Sequence, residues 1–410
     1  GKIMEVVYQR CCGIDVHKKM IVACFRDGRK KEIREFGTLT SELRELTNWL
    51  LDSGCEMIAM ESTASYWKPL YNLFELSGLP AMVVNAHHMK SLPGRKTDMK
   101  DAEWIADLLQ HGLLKASFIP DREQRELREV SRYRKSLVEE RSRELNRLQK
   151  MLEGANIKLG SKLTHINGKS GRKYLDLLLS GEEISLEAVD DIRNHQMHSS
   201  AEEILSSLDG IISPLQRKLI RSVLDHIDDM TKRIKDIDRI IQDYIKDYED
   251  AINALEEIPG VGKIGAQTII SEIGKDMSRF PSASHLCSWA GVAPGNNESA
   301  GKRRSGRTTK GNPTLKTTLI QCAHGTSKHK DTFFYAQFQR IKIRRGSKIA
   351  AMAVAHSMLT AIYHILKYNQ PFHDLGADYY NKFNREKKIN SYLKKLNELG
   401  YDMTAVPAIP

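Results

Sequence analysis

The order of apolar stretches in the first 110 residues is the feature that most constrains the fold of this chain. Three short apolar or alternating stretches come first, and Asp27-Gly28 offers a tight turn before the third. Two more strand-like stretches follow, each lying between helical patterns. The sequence predicts strands at 11–17, 20–26, 31–37, 55–62 and 81–86, and helices at 40–51, 66–76 and from about 94 to 109. We therefore expect an α/β region with a mixed sheet.

Four acidic residues fall at informative positions in these elements. Three strands followed by helix, strand, helix, strand and helix is the order of the ribonuclease H fold, in which the first and fourth strands are neighbours. Asp15, in the first strand, and Glu61, which ends the fourth, would then lie close together at the sheet edge where α/β folds place their sites. Asp98 and Asp101 are three residues apart, share one helix face and would cover that edge.

Four converging carboxylates repel one another unless cations lie among them. Hard cations such as Mg2+ take carboxylate oxygens and keep waters for a phosphate substrate. Two such ions about 3.5–4 Å apart are a standard device for phosphodiester chemistry. The pattern favours a Mg2+ site. Alternatively, the two aspartates only stabilise the helix start, Asp98 as its N-cap and Asp101 as an acid in the first turn. The preceding Arg95 and Lys96 either bind phosphate or are solvated.

The charge balance indicates an acidic partner. The 410 residues include 63 Lys and Arg against 52 Asp and Glu, a net charge of +11, and nucleic acid is the commonest partner for such an excess. The six cysteines contain no CxxC pair, which suits a reducing cytoplasm and argues against a structural zinc site. Because no apolar run approaches ~18 residues and no signal peptide is visible, we expect a cytoplasmic protein that does not span a membrane.

Residues 121–254 differ in character from the region before them. Strand signals disappear, and two long stretches carry leucine, isoleucine and valine at helical spacing between charged residues. They predict long amphipathic helices that form a coiled-coil arm for oligomerisation, with a plain spacer as the alternative. Residues 154–200 are richer in Gly, Ser and His, which fits a chain reversal or a small subdomain.

A third, mostly helical region covers 255–370, and a charged helix with a loose tail covers 371–410. In the segment IPGVGKIG, Gly260 and Gly262 would let backbone amides face a phosphate beside Lys263, as in a helix-hairpin-helix turn. A plain turn between two helices is the alternative. Further along, basic residues lie near four aromatic residues, Phe333, Phe334, Tyr335 and Phe338, which suits nucleic-acid contact or a solvated face over a core. The basic residues are Arg340, Lys342, Arg344, Arg345 and Lys348.

Several segments together are similar to one known family. They are GIDVHK, AMEST, RKTDMKDAEWIADLLQHGLL, IPGVGKIGAQTIISEIG and WAGVAPGNNESAGKRRSGRTTKGNPTLK. They resemble the DEDD transposases of bacterial insertion sequences of the IS110 type, bridge-RNA-guided recombinases related to the invertase Piv. The resemblance spans roughly residues 12 to 368. It implies a RuvC-like catalytic domain with a ribonuclease H fold over 1–120, and it places the acidic motif of the family on Asp15, Glu61, Asp98 and Asp101.

The resemblance also implies a nucleophilic serine in the 255–370 domain. The segment NNESAGK assigns this role to Ser299, whereas the residues alone leave Ser305 an equal candidate. Basic side chains dense enough to cradle a scissile phosphate follow at once: Lys302, Arg303, Arg304, Arg307 and Lys310. The family implies a covalent phosphoserine link, strand exchange between donor and target DNA, and target choice by a structured bridge RNA. It also implies a homo-oligomer, a dimer that assembles to a tetramer, acting at the bacterial nucleoid.

Two other functions fit the same residues. In one, the acids alone carry out metal-dependent hydrolysis, as in a RuvC-like junction resolvase, or the protein is a DNA invertase. In the other, the chain is a non-catalytic scaffold for nucleic acid and needs no divalent metal.

Overall fold

The computed structural model of the protein describes residues 5–61, 64–90, 92, 99–293, 297–299, 302–305, 308, 310–402 and 404. Within these ranges, the side chains of residues 87, 90, 297–299, 302–305 and 383 are not described. The chain forms two compact units, which meet in sequence between Arg122 and Glu123.

The first unit is built on a mixed sheet. Its strands are β1 Arg10–Val16, β2 Ile21–Asp27, β3 Lys30–Phe36, β4 Met57–Glu61 and β5 Ala81–Val84. The strand order is β3-β2-β1-β4-β5, in which β1 pairs antiparallel with β2 and parallel with β4. The predicted mixed α/β sheet is confirmed, and its order is consistent with a ribonuclease H-like fold. Each predicted strand end lies within two residues of the observed one.

Helices cover both faces of this sheet. They are α1 Thr40–Asp52, α2 Trp67–Leu76, α3 Ala86–Lys90 and α4 Asp101–Gln110. On α1, Leu43, Leu46 and Leu50 recur at helical spacing and are buried in one core with the β1 residues Cys12, Ile14 and Val16. Each such leucine contributes roughly 1.5–3 kcal/mol by burial. The hydrophobic spacing in the sequence therefore fixes which face of β1 these helices cover.

The other face of the sheet is covered by α4. Ile105 and Leu108 of α4 are buried with Cys11 and Ala59 of the sheet. Gly13 permits the close approach, because a Cβ at this position would overlap backbone atoms of α4. Alternate residues of β1 thus face α4, and this alternation determines the direction in which Asp15 points.

Two long antiparallel helices form the first part of the second unit. They are α5 Arg122–Gly154 and α9 Pro214–Tyr244. Arg141 on α5 donates a 3.2 Å hydrogen bond to Thr231, and Tyr244 donates a 3.4 Å hydrogen bond to Glu126. The residue of α5 nearer its start, Glu126, contacts the end of α9, and the later residue Arg141 contacts the middle of α9. The two helices therefore run in opposite directions. The long helices are present as expected, and their service as an oligomerisation arm stays a prediction.

A small helical subdomain lies between these helices in sequence. It contains α6 Lys169–Ser180, α7 Leu186–Ile192 and α8 Ala201–Leu208. Tyr174, Val189 and Ile204 are fully buried in its core together with Leu224 of α9. A capping box starts α8, in which Ser200 Oγ accepts from the Glu203 amide and Glu203 accepts from the Ser200 amide. We name this region, residues 155–212, the cap subdomain.

The remainder of the second unit is mostly helical. Its helices are α10 Glu249–Glu256, α11 Lys263–Ile273, α12 Ala283–Ala290, α13 Pro313–Gly325, α14 Phe333–Arg345, α15 Ser347–Tyr368 and α16 Tyr379–Glu398. A hairpin of β6 Asn297–Ser299 and β7 Lys302–Ser305 joins α12 to α13.

One helix departs from the expectation that no segment is long and apolar enough to cross a membrane. Helix α15 is long and apolar enough to cross a membrane by length and composition alone. Half of its apolar stretch is buried, and α15 packs against α12, α13 and α14. This pattern is typical of the core helix of a helical domain, and the apolar character of α15 follows from that burial.

Candidate active site

Asp15 and Glu61 are neighbours across the parallel pair β1–β4. Ile14 pairs with Met60, and both side chains lie in the core that contains α1 and α2. The next residue on each strand, Asp15 and Glu61, therefore faces the opposite side, which α4 covers. Neighbouring strands lie about 4.8 Å apart, so the observed register, which pairs the preceding residues Ile14 and Met60, places the two acids at the same level on adjacent strands.

The environment of Asp15 is confined. The residue is only 8% exposed, and its Oδ2 lies 2.9 Å from Nε2 of His17. Glu61 is partly buried at the end of β4. A buried carboxylate beside a second one is costly unless a positive charge compensates it. His17, more than half exposed at the same edge, supplies one hydrogen-bonding partner.

Helix α4 brings its first turn toward the same edge. Cys11 Sγ–H donates to the Ala106 carbonyl at 3.8 Å, and Gly13 lies beneath Ala106 and Ala102. From Cys11 to Gly13 the contacts on α4 shift from Ala106 toward Ala102, which is nearer the start of the helix. Strand β1 and helix α4 therefore run in opposite directions. Asp101, the first residue of α4, is exposed and belongs to this N-terminal turn. The structure thus brings Asp15, Glu61 and the start of α4 to one end of the sheet.

Helix α4 begins at Asp101, with Lys100 as its N-cap in extended backbone. The expectation of one helix from about residue 94 that carries Asp98 and Asp101 on one face is therefore wrong, and so is the alternative of Asp98 as the N-cap. Asp98 itself lies outside the described residues, as do Arg95 and Lys96. Among the residues that are described, no group of three or more His, Cys, Asp or Glu is arranged to hold a metal ion. The fit to Mg2+ therefore rests on the adjacent pair Asp15 and Glu61, whose all-oxygen donors match that cation. A metal site at this pair stays a prediction.

Ser299 belongs to the second unit, at the end of β6. Its backbone pairs with that of Lys302 across the β6–β7 hairpin, and Ser305 pairs with Asn297. The hairpin also carries Arg303 and Arg304; the side chains on both strands are not described, and Arg307 lies outside the described residues. Lys310, after the hairpin, is exposed. The predicted serine and most of its basic neighbours therefore share one short hairpin.

The base of this loop is held together by backbone contacts. The Asn312 amide donates to the Ala290 carbonyl at 3.3 Å. Gly311, with φ +54°, lies so close to Gly291 that a Cβ would overlap its backbone. Both ends of the segment that carries Ser299 are thus fixed at one point, between α12 and α13.

A buried ionic cluster, which was not predicted from the sequence, stabilises this junction between α12 and α13. Glu272 of α11 is fully buried and accepts two hydrogen bonds from Arg132, of 2.8 and 2.7 Å, and one of 2.7 Å from Asn312 Nδ2. Arg128 donates a 3.0 Å hydrogen bond to the Glu272 carbonyl. Burial lowers the pKa of Arg128 to about 10, and the hydrogen bonds to Glu272 raise the pKa of Arg132. Since Asn312 also caps α13 through the Leu315 amide, this cluster joins α5, α11 and the end of the serine loop.

The glycine turn between α10 and α11 has the shape expected of a tight hairpin. Gly260 has φ +93°, and a Cβ there would overlap the Cys322 carbonyl of α13. Gly262 is the N-cap of α11, Lys263 is its exposed first residue, and a Cβ on Gly262 would meet nothing within 4 Å. A cleft of about 330 Å3 beside the turn is also lined by Arg134 and Lys135 of α5.

The predicted basic surface near the end of α14 is solvent-exposed. It consists of Arg340, Lys342, Arg344, Arg345 and Lys348. Two of the neighbouring aromatic residues, Phe334 and Phe338, are only 3% and 6% exposed. The Phe333 ring stacks on Tyr380 with centroids 5.3 Å apart. Phe334 and Phe338 thus pack inside the protein, whereas Phe333 and Tyr335 are partly exposed. The surface offers mainly basic side chains, which suit phosphates.

Comparison with known proteins assigns the chain to a family. A transposase model of the IS110 DEDD type matches residues 12–157, and the model of the transposase IS116/IS110/IS902 family matches residues 252–339. A Pseudomonas aeruginosa protein named "Probable family 20 transposase" is 22% identical over 86% of this chain and 92% of its own length. The Streptomyces clavuligerus "Insertion element IS116 uncharacterized 44.8 kDa protein" is 25% identical over 53% of this chain and 60% of its own. The two matched regions contain the acidic edge of the sheet and the serine hairpin, and the chain belongs to the IS110/IS116 family of insertion-sequence transposases.

Proposed function

We propose that the protein is a DNA recombinase that cuts and rejoins strands through Ser299 and a Mg2+ site of four carboxylates. The observation that carries this proposal is the adjacency of Asp15 and Glu61 on β1 and β4, at the end of the sheet where α4 begins. A buried carboxylate beside a partly buried one is suited to holding a hard divalent cation. Asp98 and Asp101 would complete the ligand set.

The protein residues divide the work between the two units. Asp15 and Glu61 would hold Mg2+, which when bound supplies positive charge to the phosphate and to the leaving oxygen. In the second unit the Ser299 Oγ would attack the scissile phosphorus. The Ser299 hydroxyl loses its proton as an Oγ–P bond forms, the bond from phosphorus to one deoxyribose oxygen breaks, and that oxygen takes up a proton, so no net proton is gained or lost.

The basic residues around the hairpin have a supporting role. Lys302, Arg303, Arg304, Arg307 and Lys310 would neutralise the phosphate that Ser299 attacks. The α10–α11 turn and the exposed basic surface of α14 would hold DNA or RNA backbones, a contact that reads no sequence. Target choice would come from a structured bridge RNA that pairs with donor and target DNA, while the protein, a homo-oligomer, positions the strands.

A serine nucleophile is tested by searching for its covalent product. Wild-type protein, Ser299→Ala and the matched hairpin variant Ser305→Ala are incubated with Mg2+, the co-purified RNA and labelled donor DNA. We expect a protein–DNA adduct with the wild type and with Ser305→Ala, and loss of both cleavage and adduct with Ser299→Ala. Cleavage that persists in Ser299→Ala would instead support hydrolysis by the acids alone, as in a junction resolvase.

The acidic site and the guide RNA are tested separately. We expect Asp15→Asn to abolish cleavage while circular dichroism remains that of the folded protein, and cleavage that persists in this variant would contradict the acidic site. No cleavage by the wild type with Mg2+, together with equal nucleic-acid binding by Asp15→Asn, would support a non-catalytic scaffold. Sequencing the nucleic acid that co-purifies with the protein should return one structured RNA whose loops match donor and target. Recovery of unrelated RNA fragments would contradict RNA guidance.

A further inference from the structure

The cap subdomain carries a groove that nucleic acid would not enter. The groove has a volume of about 530 Å3 and lies between α6, α8 and the start of α9. Its apolar lining includes Leu178, Ile184, Leu205 and Leu208, and four acids stand among the lining residues against one arginine: Glu182, Glu183, Glu202 and Asp209 against Arg217. Arg217 Nε already donates to the Leu178 carbonyl at 3.4 Å. In a chain of net charge +11, this is an acidic site that would repel phosphates.

Large apolar side chains are exposed around this groove. Leu186, which lines it, is 41% exposed, Ile211 beside it is 87% exposed, and Leu215 at the start of α9 is 67% exposed. Single exposed hydrophobics are ordinary, but several of them on the segments that line one groove with a polar rim are typical of a protein–protein contact. An occupant of this groove therefore needs apolar side chains and positive charge.

Helix α16 has both properties. Ile389, Tyr392, Leu393 and Leu396 recur at positions i, i+3, i+4 and i+7, so they form one apolar strip. Around the strip the helix carries six basic residues and two acids: Lys382, Arg385, Lys387, Lys388, Lys394 and Lys395 against Glu386 and Glu398. None of the α16 side chains that the structure describes is buried, and Tyr392 is 62% exposed.

The start of α16 is attached to the second unit of its own chain. The Tyr380 ring stacks on Phe333 of α14, and Arg340 lies over the same ring at 4.5 Å. The rest of α16 is a helix of roughly five turns whose apolar strip is partly open to solvent. In proteins most of the stability of a helix comes from packing of its apolar face, so the strip is suited to a partner surface.

We propose that α16 of one protomer docks in the acidic groove of the cap subdomain of a second copy of this chain. The apolar strip would enter the groove as an amphipathic helix enters a hydrophobic groove, and the lysines would face Glu182, Glu183 and Glu202. The complementary charges of groove and helix select this occupant over nucleic acid, which has no use for the strip. The contact is independent of the proposed chemistry, because it needs neither DNA nor metal.

Cross-linking between two differently labelled chains tests the contact. All six native cysteines are buried, so a cysteine introduced at an exposed position reacts selectively. Full-length Ser206→Cys, in the groove, is mixed with full-length Asn390→Cys, at the edge of the strip, after nuclease treatment and without added DNA. A short bismaleimide should join the two chains. Ser391→Cys, on the opposite face of α16, is the matched control and should join poorly.

Charge exchange tests the specificity of the contact. Arg385→Glu/Lys388→Glu/Lys395→Glu in the Asn390→Cys chain should lower the yield of joined chains about tenfold, since like charges then face each other. Glu182→Lys/Glu183→Lys/Glu202→Lys in the Ser206→Cys chain should restore it. The control triple Asp225→Lys/Asp236→Lys/Asp243→Lys, on α9, should not. No cross-link between the mixed chains, a cross-link that forms only when nucleic acid is added, or no restoration by the exchanged charges would each overturn the proposal.

Discussion

Gly13 of β1 lies directly beneath Ala106 of α4, so closely that a methyl group on Gly13 would overlap the Ala106 backbone nitrogen. We therefore expect Gly13→Ala to displace α4 and lower the free energy of unfolding by about 1–3 kcal/mol. Because α4 carries Asp101, the variant should also lose DNA cleavage. Chemical denaturation followed by circular dichroism, with a cleavage assay alongside, measures both effects.

The matched control is Gly154→Ala at the end of α5. Gly154 is helical, an added Cβ would meet nothing within 4 Å, and alanine favours a helix by roughly 0.5–1 kcal/mol over glycine. This variant should be as stable as the wild type or more so. An equal loss of stability in the two variants would contradict the close approach of α4 to β1.

Divalent metal should stabilise the folded protein through Asp15. A ligand present at one hundred times its Kd stabilises by about 2.7 kcal/mol, so Mg2+ should raise the Tm of the wild type. Asp15→Asn removes a carboxylate ligand and should abolish this increase. Asp27→Asn is the control, because Asp27 pairs with Arg10 at the opposite end of the same sheet. A Tm increase that survives in Asp15→Asn would exclude the proposed site.

The sequence predicts the sheet and the position of Asp15 well because these depend on short-range signals. Alternation along each strand fixes which residues face α4, and the order of elements implies that β1 and β4 are neighbours. Asp15 and Glu61 follow from these two facts alone. The three strands of the meander are joined by tight turns, so their ends could also be placed closely.

The cluster around Glu272 depends on partners far away in sequence. Arg132 lies 140 residues before Glu272, and no periodicity links them. The one sign of this cluster in the sequence was a single acid, Glu272, within the apolar run TIISEIG. For the same reason, Phe334 and Phe338 could not be assigned to the core from their basic neighbours, since their burial depends on tertiary packing.

Buried thiols should make the first unit sensitive to alkaline pH. Burial raises the pKa of Cys11 from 9.0 to about 12 and that of Cys24 to about 11. Because the folded values lie above the unfolded one, the stabilisation is complete below about pH 9 and is lost as the pH rises toward 11. We expect Cys24→Ala to reduce the alkaline slope of the unfolding free energy by up to about 1.4 kcal/mol per pH unit. Urea denaturation of both proteins between pH 8 and pH 11 measures the difference, and equal slopes would contradict it.

Removing the charge of Glu272 should destabilise the second unit. Arg128 would then be buried without its carboxylate, and breaking a buried ion pair costs about 3–5 kcal/mol. We expect Glu272→Gln to lower the free energy of unfolding by this amount and to loosen the serine loop, seen as faster hydrogen exchange at Asn312. Arg147→Ala, which removes the exposed partner of Glu144, should cost less than about 1 kcal/mol. Similar losses in the two variants would show that the cluster contributes no more than a surface pair.

Two glycines of the α10–α11 turn, Gly260 and Gly262, allow an effect on stability to be distinguished from an effect on DNA binding. Gly260→Ala combines a positive φ with an overlap against the Cys322 carbonyl, so it should cost about 1–3 kcal/mol of stability. Gly262→Ala is free of both problems and should cost less than about 1 kcal/mol as an N-cap change. Its methyl group would nonetheless stand where a phosphate approaches the first amides of α11.

We therefore expect folded Gly262→Ala to bind DNA several-fold more weakly, and equally so for two duplexes of unrelated sequence, because phosphate contacts read no sequence. Fluorescence anisotropy at fixed salt measures both affinities, and denaturation of the same samples verifies the fold. Unchanged affinity would assign the turn a purely structural role in packing α11 against α13. Weakening for only one of the duplexes would mean that the turn contacts bases, which backbone amides at a helix start are poorly suited to do.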